Sequence, residues 1–132
     1  MKQSAAVIRK WVRLISDDLM HFTPEQEEHV CKLASVFDFE IMPDDSGLVG
    51  YYIAKDFDCK IKMNVLLLYC RPESRGRSFV KMLRLLEDAA HKAGVTEIIV
   101  GGSVTGYKVD KLNNALERLG YRPSGYSKRI II

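Results

Sequence analysis

The amino-acid sequence predicts one α/β domain that covers residues 1–132, with helices flanking a mixed β-sheet. Before Asp38, apolar residues recur at helical spacing. From Asp38 onward they form short runs separated by turn residues, as strands do. The run Lys60–Cys70 leads into a turn, an amphipathic helix and another apolar run, Thr96–Val100. This strand-turn-helix-strand order predicts the centre of the sheet.

Two helices are predicted before Asp38. Helical spacing of apolar residues predicts the first over residues 4–20. The segment Thr23–Gln26 predicts the start of the second, because threonine can cap a helix, proline suits its first position and Gln26 completes a capping box. The expected buried stripe of this second helix is Val30, Leu33, Ala34 and Phe37.

Three strands follow. Phe39–Met42 and Leu48–Lys55 flank Pro43–Gly47, a strong turn signal, and predict a hairpin. Lys60–Cys70 alternates polar and apolar residues before a fully apolar end, Val65–Cys70. A strand whose second half is apolar on both faces is expected in the middle of the sheet.

The last third of the chain continues the pattern. Apolar residues from Phe79 onward predict a helix that Gly94 ends, and Thr96–Val100 predicts a buried strand. A short helix closed by Gly120 is expected next. The tail, residues 121–132, predicts a hairpin around Pro123-Ser124-Gly125.

Composition excludes several classes of protein. Hydrophobic residues make up 47% of the chain, yet the longest apolar run has only the length of a strand, so we expect no membrane span. Basic residues interrupt the N-terminal apolar positions, which argues against a signal peptide and favours the cytoplasm. The three cysteines lie far apart and form no CxxC pair, so we expect reduced thiols. The three histidines are scattered as well, so we expect no metal centre.

The segment between the buried strand and the third helix predicts an anion site. It contains Arg75-Gly76-Arg77-Ser78, which opens the helix. The first N–H groups of a helix have no partner within it, and glycine allows a ligand to approach the backbone closely. A pyrophosphate would fit there. The alternative is that Gly76 makes the turn and the arginines keep it soluble.

Basic residues are also concentrated around this turn. Only Glu73 opposes five cations, which leaves a local excess of four positive charges from Arg71, Arg75, Arg77, Lys81 and Arg84. Such a cluster suits the phosphates of a cofactor or of a nucleic acid. A solvated helix face is the alternative interpretation.

The turn resembles the pyrophosphate-binding signature of the GNAT family of N-acetyltransferases, Gln/Arg-x-x-Gly-x-Gly/Ala. Glu73 replaces the first residue of that signature and Ser78 the last. Gly47–Ala54 is similar to the family's third strand, and Leu116–Tyr121 to its "YEKLGF" segment. The three stretches occur in the family's order, and together the resemblance covers residues 36–132. The chain is similar to short, divergent members of the family, such as phage-encoded ones.

The resemblance implies a mostly antiparallel α+β sheet of the acyl-CoA N-acyltransferase type and acetyl-coenzyme A as acyl donor. In the family, the fourth and fifth strands splay apart and the pantetheine arm lies in the gap. By resemblance, the backbone of Leu68, Tyr69 and Cys70 would contact the arm and the acetyl carbonyl. The pyrophosphate would be bound by Arg75, Gly76, Arg77, Ser78 and Phe79.

The usual catalytic side chains of the family are missing. Leu116 stands where a tyrosine often acts as general acid, and Lys62, Asn64 and Val65 occupy the region of the usual glutamate base. The remaining candidates for proton handling are Tyr69, Tyr107 and Asp110. Each has a simpler alternative role: core packing for Tyr69, a rim aromatic for Tyr107, and a favourable charge at a helix N-terminus for Asp110.

The expected function is direct transfer of an acetyl group to an amine of a small molecule or a protein. A homodimer is a further expectation. Without a carboxylate base we expect either an acceptor amine that loses its proton readily or deprotonation through a water relay. A lysine, with a pKa of about 10.4, costs roughly 4.6 kcal/mol to deprotonate at pH 7, and an α-amine near 7.8 costs roughly 1 kcal/mol. The alternatives are a binding module without turnover, or a nucleic-acid-binding protein that also uses Lys128 and Arg129.

Overall fold

The structure is a computed structural model that describes residues 4–76, 78–100, 104–105, 107–122 and 127–129. The chain forms two compact units, Met1–Glu40 and Ile41–Ile132. The strand β1, Asp38–Ile41, spans the boundary between them. No helix in the described part of the chain is long and apolar enough to cross a membrane.

The first unit contains the two predicted helices. They are α1 (Ala5–Ile15), which continues into a π-helical turn (Ser16–Met20), and α2 (Pro24–Ala34). The capping box of α2 is confirmed, because the Thr23 N–H donates to Gln26 Oε1 at 2.9 Å and the Gln26 N–H donates to Thr23 Oγ1 at 3.2 Å.

The predicted apolar stripe of α2 is partly wrong. Ala34 is buried, but Leu33 is 47% exposed. Charged residues explain the difference, because α2 meets α1 through ion pairs. Arg9 Nη2 lies 2.8 Å from Glu28 Oε2, and Arg13 Nε lies 2.8 Å from Glu27 Oε1.

The second unit is built on the sheet. Its elements are β2 (Gly47–Lys55), β3 (Ile61–Cys70), a 3₁₀ turn (Pro72–Ser74), α3 (Phe79–Lys92), β4 (Glu97–Ile99), β5 (Val104–Thr105), α4 (Val109–Arg118) and β6 (Ser127–Arg129). The strands are ordered β2-β3-β4-β6, and β5 also pairs with β3. The central position of β3 and the mixed sheet are therefore confirmed.

The longest ladder is the antiparallel pairing of β2 with β3, from Gly47 opposite Cys70 to Lys55 opposite Ile61. It contains one β-bulge, since Gly50 lies opposite Leu67 whereas Tyr51 lies opposite Val65. Leu66 is thus an extra residue, and a bulge of this kind bends and twists its strand.

The bulge changes which residues of β3 face the core. Before it, the core side chains are Met63 and Val65; after it, they are Leu68 and Cys70. Side chains of a regular strand alternate between faces, so one extra residue moves the alternation from odd to even positions.

The other edge of β3 is paired in two short pieces. The parallel pairing with β4 runs from Lys62 opposite Glu97 to Asn64 opposite Ile99. The strand β5 then lies parallel to β3 at Leu67 and Leu68. Residues 101–103, between these two pieces, lie outside the described residues.

The helix α3 covers the core through Met82, Leu83, Leu86 and Ala90, which are at most 1% exposed. Gly94, with φ of +72°, follows its end as predicted. Of the predicted terminal hairpin, β6 is described and is antiparallel to β4. Pro123-Ser124-Gly125 lies outside the described residues.

Candidate cofactor-binding site

The predicted anion turn follows β3 and precedes α3, and Gly76 is its most unusual residue. Gly76 has φ of +92°, a conformation that favours glycine. A Cβ atom built there would have no neighbour within 4 Å. The conformation therefore calls for glycine, and the space above its backbone is open.

Backbone groups of β3 divide between its two edges. The Arg71 N–H donates to the Ser46 carbonyl at 2.8 Å, and the Tyr69 carbonyl lies against the Gly47 backbone. Peptide groups of alternate residues face alternate edges, so those of Leu68 and Cys70 face away from β2. The peptide group of Tyr69 therefore faces β2, on the edge away from the predicted pantetheine gap, and its contact with the pantetheine stays a prediction.

The two outward-facing residues differ in their surroundings. At Leu68 the edge of β3 is paired with Thr105 of β5. At Cys70 the carbonyl accepts a hydrogen bond of 3.1 Å from Arg75 Nε. The strands are thus closed at Leu68, whereas the sequence predicts an open gap there.

Arg75 is positioned by two contacts. Besides its bond to Cys70, its guanidinium carbon lies 5.7 Å from the centroid of the Tyr69 ring, a cation–π distance. Tyr69 is 1% exposed. Core packing and support of Arg75 thus account for its ring.

Ser78 links the turn to the rest of the protein. Its hydroxyl donates to Ser46 Oγ at 3.2 Å, and the Ser46 hydroxyl donates to Asp44 at 2.6 Å. Those bonds from Ser46 lower the pKa of Asp44. The Ser78 N–H donates to the Ser74 carbonyl at 3.3 Å. Both Ser78 groups have partners within the protein, so the predicted role of Ser78 as an open pyrophosphate contact is not seen.

Phe79 is buried, and its ring packs edge-on against Tyr107 with the centroids 5.2 Å apart. Its side chain therefore belongs to the core, and only its backbone N–H, in the first turn of α3, can contact an anion. Arg77, the fifth predicted pyrophosphate residue, lies outside the described residues.

Tyr107 joins the turn to the start of α4. Its phenol lies beside the Gly76 backbone N–H and the Cys70 side chain. Burial, reinforced by Cys70, raises the pKa of Tyr107 to about 12. The structure therefore brings Tyr107 to the predicted turn and keeps it neutral near pH 7.

A cavity of about 300 Å³ opens at this point. It is lined by Arg75, Gly76, Tyr107, Lys108 and Lys111. Sequence analysis missed Lys108 and Lys111, although their i,i+3 spacing predicts one helix face. Asp110 is exposed in the first turn of α4 and does not line the cavity.

The positions of the family's usual acid and base have structural roles here. Lys62 Nζ lies 2.8 Å from Asp56 Oδ2 and 3.5 Å from Asp58 Oδ2, and the bond to Asp56 raises the pKa of Lys62. Leu116 is fully buried in the core. Within the described ranges, no group of three or more His, Cys, Asp or Glu residues could bind a metal.

The basic cluster is partly used within the protein. Arg71 Nε donates to the Asp45 carbonyl at 2.8 Å, and its Nη2 lies 2.9 Å from Asp45 Oδ2. With Arg75 bonded to Cys70, two of the predicted cations have internal partners. Lys81 and Arg84 are exposed on α3, and Arg77 lies outside the described residues.

Comparisons with known proteins identify the fold. No protein-family model matches the chain, and no curated protein does. Among solved structures, AAC(6')-Iy in complex with the bisubstrate analogue CoA-S-monomethyl-acetylneamine matches with a TM-score of 0.68 at 15% identity, covering 100% of this chain and 93% of that one. An acetyltransferase from Trypanosoma brucei matches with a TM-score of 0.65 at 12% identity, covering 100% and 97%.

A ribosomal-protein-alanine N-acetyltransferase from Brucella melitensis biovar Abortus 2308 matches equally well, with a TM-score of 0.65 at 12% identity and coverage of 100% and 97%. At these identities the likeness concerns the fold. The chain therefore has the GNAT acetyltransferase fold, as the sequence predicts.

Proposed function

We propose that this protein binds acetyl-coenzyme A and transfers its acetyl group directly to an amine. The cavity beside Gly76 carries the proposal. An open backbone turn just before a helix, with Arg75 on the cavity wall, suits the diphosphate of the cofactor. The fold and the coenzyme A analogue bound to AAC(6')-Iy support the same assignment.

The cofactor supplies an activated thioester, and the protein has to bind it and stabilise the charge that develops during transfer. The Gly76 backbone and Arg75 would bind the diphosphate. The Cys70 N–H faces the edge of β3 opposite β2 and would donate to the cofactor arm where it leaves the diphosphate. Arg75 fixes the Cys70 carbonyl on the same peptide edge, which keeps this segment of β3 in place.

Tyr107 is best suited to donate a hydrogen bond rather than a proton. An ordinary thiol has a pKa of about 8.5. Full transfer of a proton from Tyr107, with a pKa of about 12, to a thiolate would cost roughly 5 kcal/mol. The Tyr107 phenol would therefore retain its proton and, beside Gly76, donate a hydrogen bond to the bound diphosphate. The proposed roles of Tyr69 and Asp110 are indirect: Tyr69 supports Arg75, and Asp110 favours the N-terminus of α4.

Cofactor binding is tested by thermal unfolding with and without coenzyme A. A ligand at 100 times its Kd adds about 2.7 kcal/mol of stability, which raises the Tm by several degrees for a chain of this size. Arg75→Met is expected to reduce the shift. Arg84→Met is the matched control, because Arg84 is an exposed arginine of α3 that does not line the cavity. No shift with the wild-type protein would refute the proposal.

Transfer is tested by thiol release from acetyl-coenzyme A with a panel of amines. We expect α-amines to react faster than lysine side chains, because no carboxylate base is present at the described positions of the family's usual catalytic residues. Tyr107→Phe is expected to weaken cofactor binding, with little effect on thiol release once the cofactor is saturating. Fast acetylation of lysines with none of α-amines would contradict the proposed chemistry.

One observation favours a second candidate, a cofactor-binding module without turnover. The strand β5 lies along β3 at Leu67 and Leu68, where the pantetheine arm would have to pass. A thermal shift with coenzyme A but no thiol release with any amine would support this candidate. The cytoplasmic location and the homodimer stay predictions.

A further inference from the structure

Two lysines of the cavity are not explained by a diphosphate. Lys108 caps the N-terminus of α4, and Lys111 lies three residues later, so both side chains project on the same side of the helix. Both are exposed, and neither has an ion pair among the residues that the structure describes. Arg75, in the turn beyond the end of β3, also lines the cavity.

The charges on the cavity wall exceed those of a diphosphate. A diphosphate diester carries two negative charges, and the Gly76 turn with Arg75 already provides a cation and backbone donors for it. With Lys108 and Lys111, three cations line the cavity among the residues that the structure describes. A phosphate monoester carries a further charge of about −1.5 to −2 at pH 7. The cavity therefore suits a ligand with a third phosphate next to a diphosphate.

The positions of the lysines also point to an anion. Like charges three residues apart on a helix repel each other, and cations at a helix N-terminus oppose the helix dipole. Both effects are unfavourable in the unliganded protein. A phosphate between the two ammonium groups would reverse both. The cavity, with cations from two separate elements, gives such a phosphate its location.

We propose that Lys108 and Lys111 bind the ribose 3′-phosphate of coenzyme A and make the protein select coenzyme A over dephospho-coenzyme A. This inference rests on the proposed function, and it assigns a specificity role to two residues of the same cavity. Arg75 and Gly76 bind the diphosphate that both ligands share. The two lysines contact only the 3′-phosphate, which dephospho-coenzyme A lacks.

The test compares the Kd of coenzyme A with that of dephospho-coenzyme A, by titration calorimetry on the full chain. The wild-type protein is expected to bind coenzyme A about tenfold or more tightly. Lys108→Met and Lys111→Met should each weaken coenzyme A several-fold and leave dephospho-coenzyme A within about twofold. The double variant should bind the two ligands equally. Lys92→Met is the control, because it removes the same charge from an exposed site at the other end of α3.

Three outcomes decide against the inference. Equal affinities of the wild-type protein for both ligands would refute it and leave the proposed function standing. A parallel loss for both ligands in the lysine variants would mean that the lysines contact the diphosphate instead. No binding of either ligand would refute the proposed function as well. Circular dichroism and the Tm of each variant establish that it is folded.

Discussion

The two edges of β3 are built differently. Toward β2 the ladder runs from one end of the strand to the other, interrupted only by the bulge at Leu66. On the opposite edge, the described residues pair in two pieces, with β4 over three positions and with β5 over two. The continuous edge is scaffold, because it fixes the strand. The broken edge leads to the turn at Gly76 and to the cavity, so it is where a ligand can meet the backbone.

The largest expected effect comes from a substitution that disturbs the continuous ladder between β2 and β3. A Cβ atom on Gly47 would collide with the Tyr69 carbonyl, a backbone atom that cannot move without disturbing the ladder. Gly47→Ala is therefore expected to lower the free energy of unfolding by about 3 kcal/mol, measured by denaturant titration. A loss below about 0.5 kcal/mol would mean that the two strands can separate there at little cost.

The next effect tests the broken edge. Gly76→Ala forces a side chain into a positive-φ conformation and should lower stability by about 1–2 kcal/mol. It should also weaken coenzyme A about tenfold, because the turn no longer holds its backbone donors in place. Gly94→Ala is the matched control, since Gly94 has φ of +72° and equally open space but lies at the far end of α3. If both variants changed the affinity for coenzyme A equally, Gly76 would not be part of the binding site.

The third prediction compares the wild-type protein with Tyr107→Phe by measuring the free energy of unfolding as the pH rises. Tyr107 packs beside the turn to which the broken edge leads. Its pKa is raised to about 12 from 10, so in the unfolded chain it ionises first. The stability that its burial in neutral form provides is present below pH 10 and is lost as the pH rises toward 12. We expect the wild-type free energy of unfolding to fall about 1 kcal/mol further than that of Tyr107→Phe over this range. Tyr121, whose pKa burial also raises, is common to both proteins. Identical pH profiles would contradict the buried position of Tyr107.

The smallest expected effect concerns stability without ligand. Lys111→Met should stabilise the unliganded protein by about 0.5 kcal/mol, because it removes a like-charge contact and a cation at a helix N-terminus. Chemical denaturation at low salt measures the difference, and Lys92→Met provides the comparison. Destabilisation by Lys111→Met would show that the lysine serves the fold rather than the ligand.

Elements whose signals are local were predicted well. The capping box of Thr23 and Gln26 involves residues three apart, so the sequence alone contains it. The central position of β3 was predicted because both faces of its second half are apolar. Gly94 and Gly120 lie just after the ends of α3 and α4, as predicted. The turn at Gly76 was also predicted as an open backbone segment at the start of α3.

Features that depend on distant residues were not predicted. Lys108 and Lys111 join Arg75 only because α4 returns to the end of β3, a contact that no spacing encodes. The bonding of Ser78 to Ser46 spans 32 residues and was missed for the same reason. Leu33 follows a helical period, yet the ion pairs between α1 and α2 decide how α2 lies, and periodicity says nothing of them.

The extra residue Leu66 has a consequence for how this protein can vary. Because Leu66 is the one extra residue, its deletion would leave a regular strand in which Met63, Val65, Leu68 and Cys70 alternate onto the core face, and the ladder to β2 would keep its register on both sides. The deletion would remove only the local bend and twist that the bulge adds before the turn. Loss of a residue from the regular part of β3 would instead turn one half of the strand over, so Leu66 is the position at which this strand can be shortened without changing the face of its core residues.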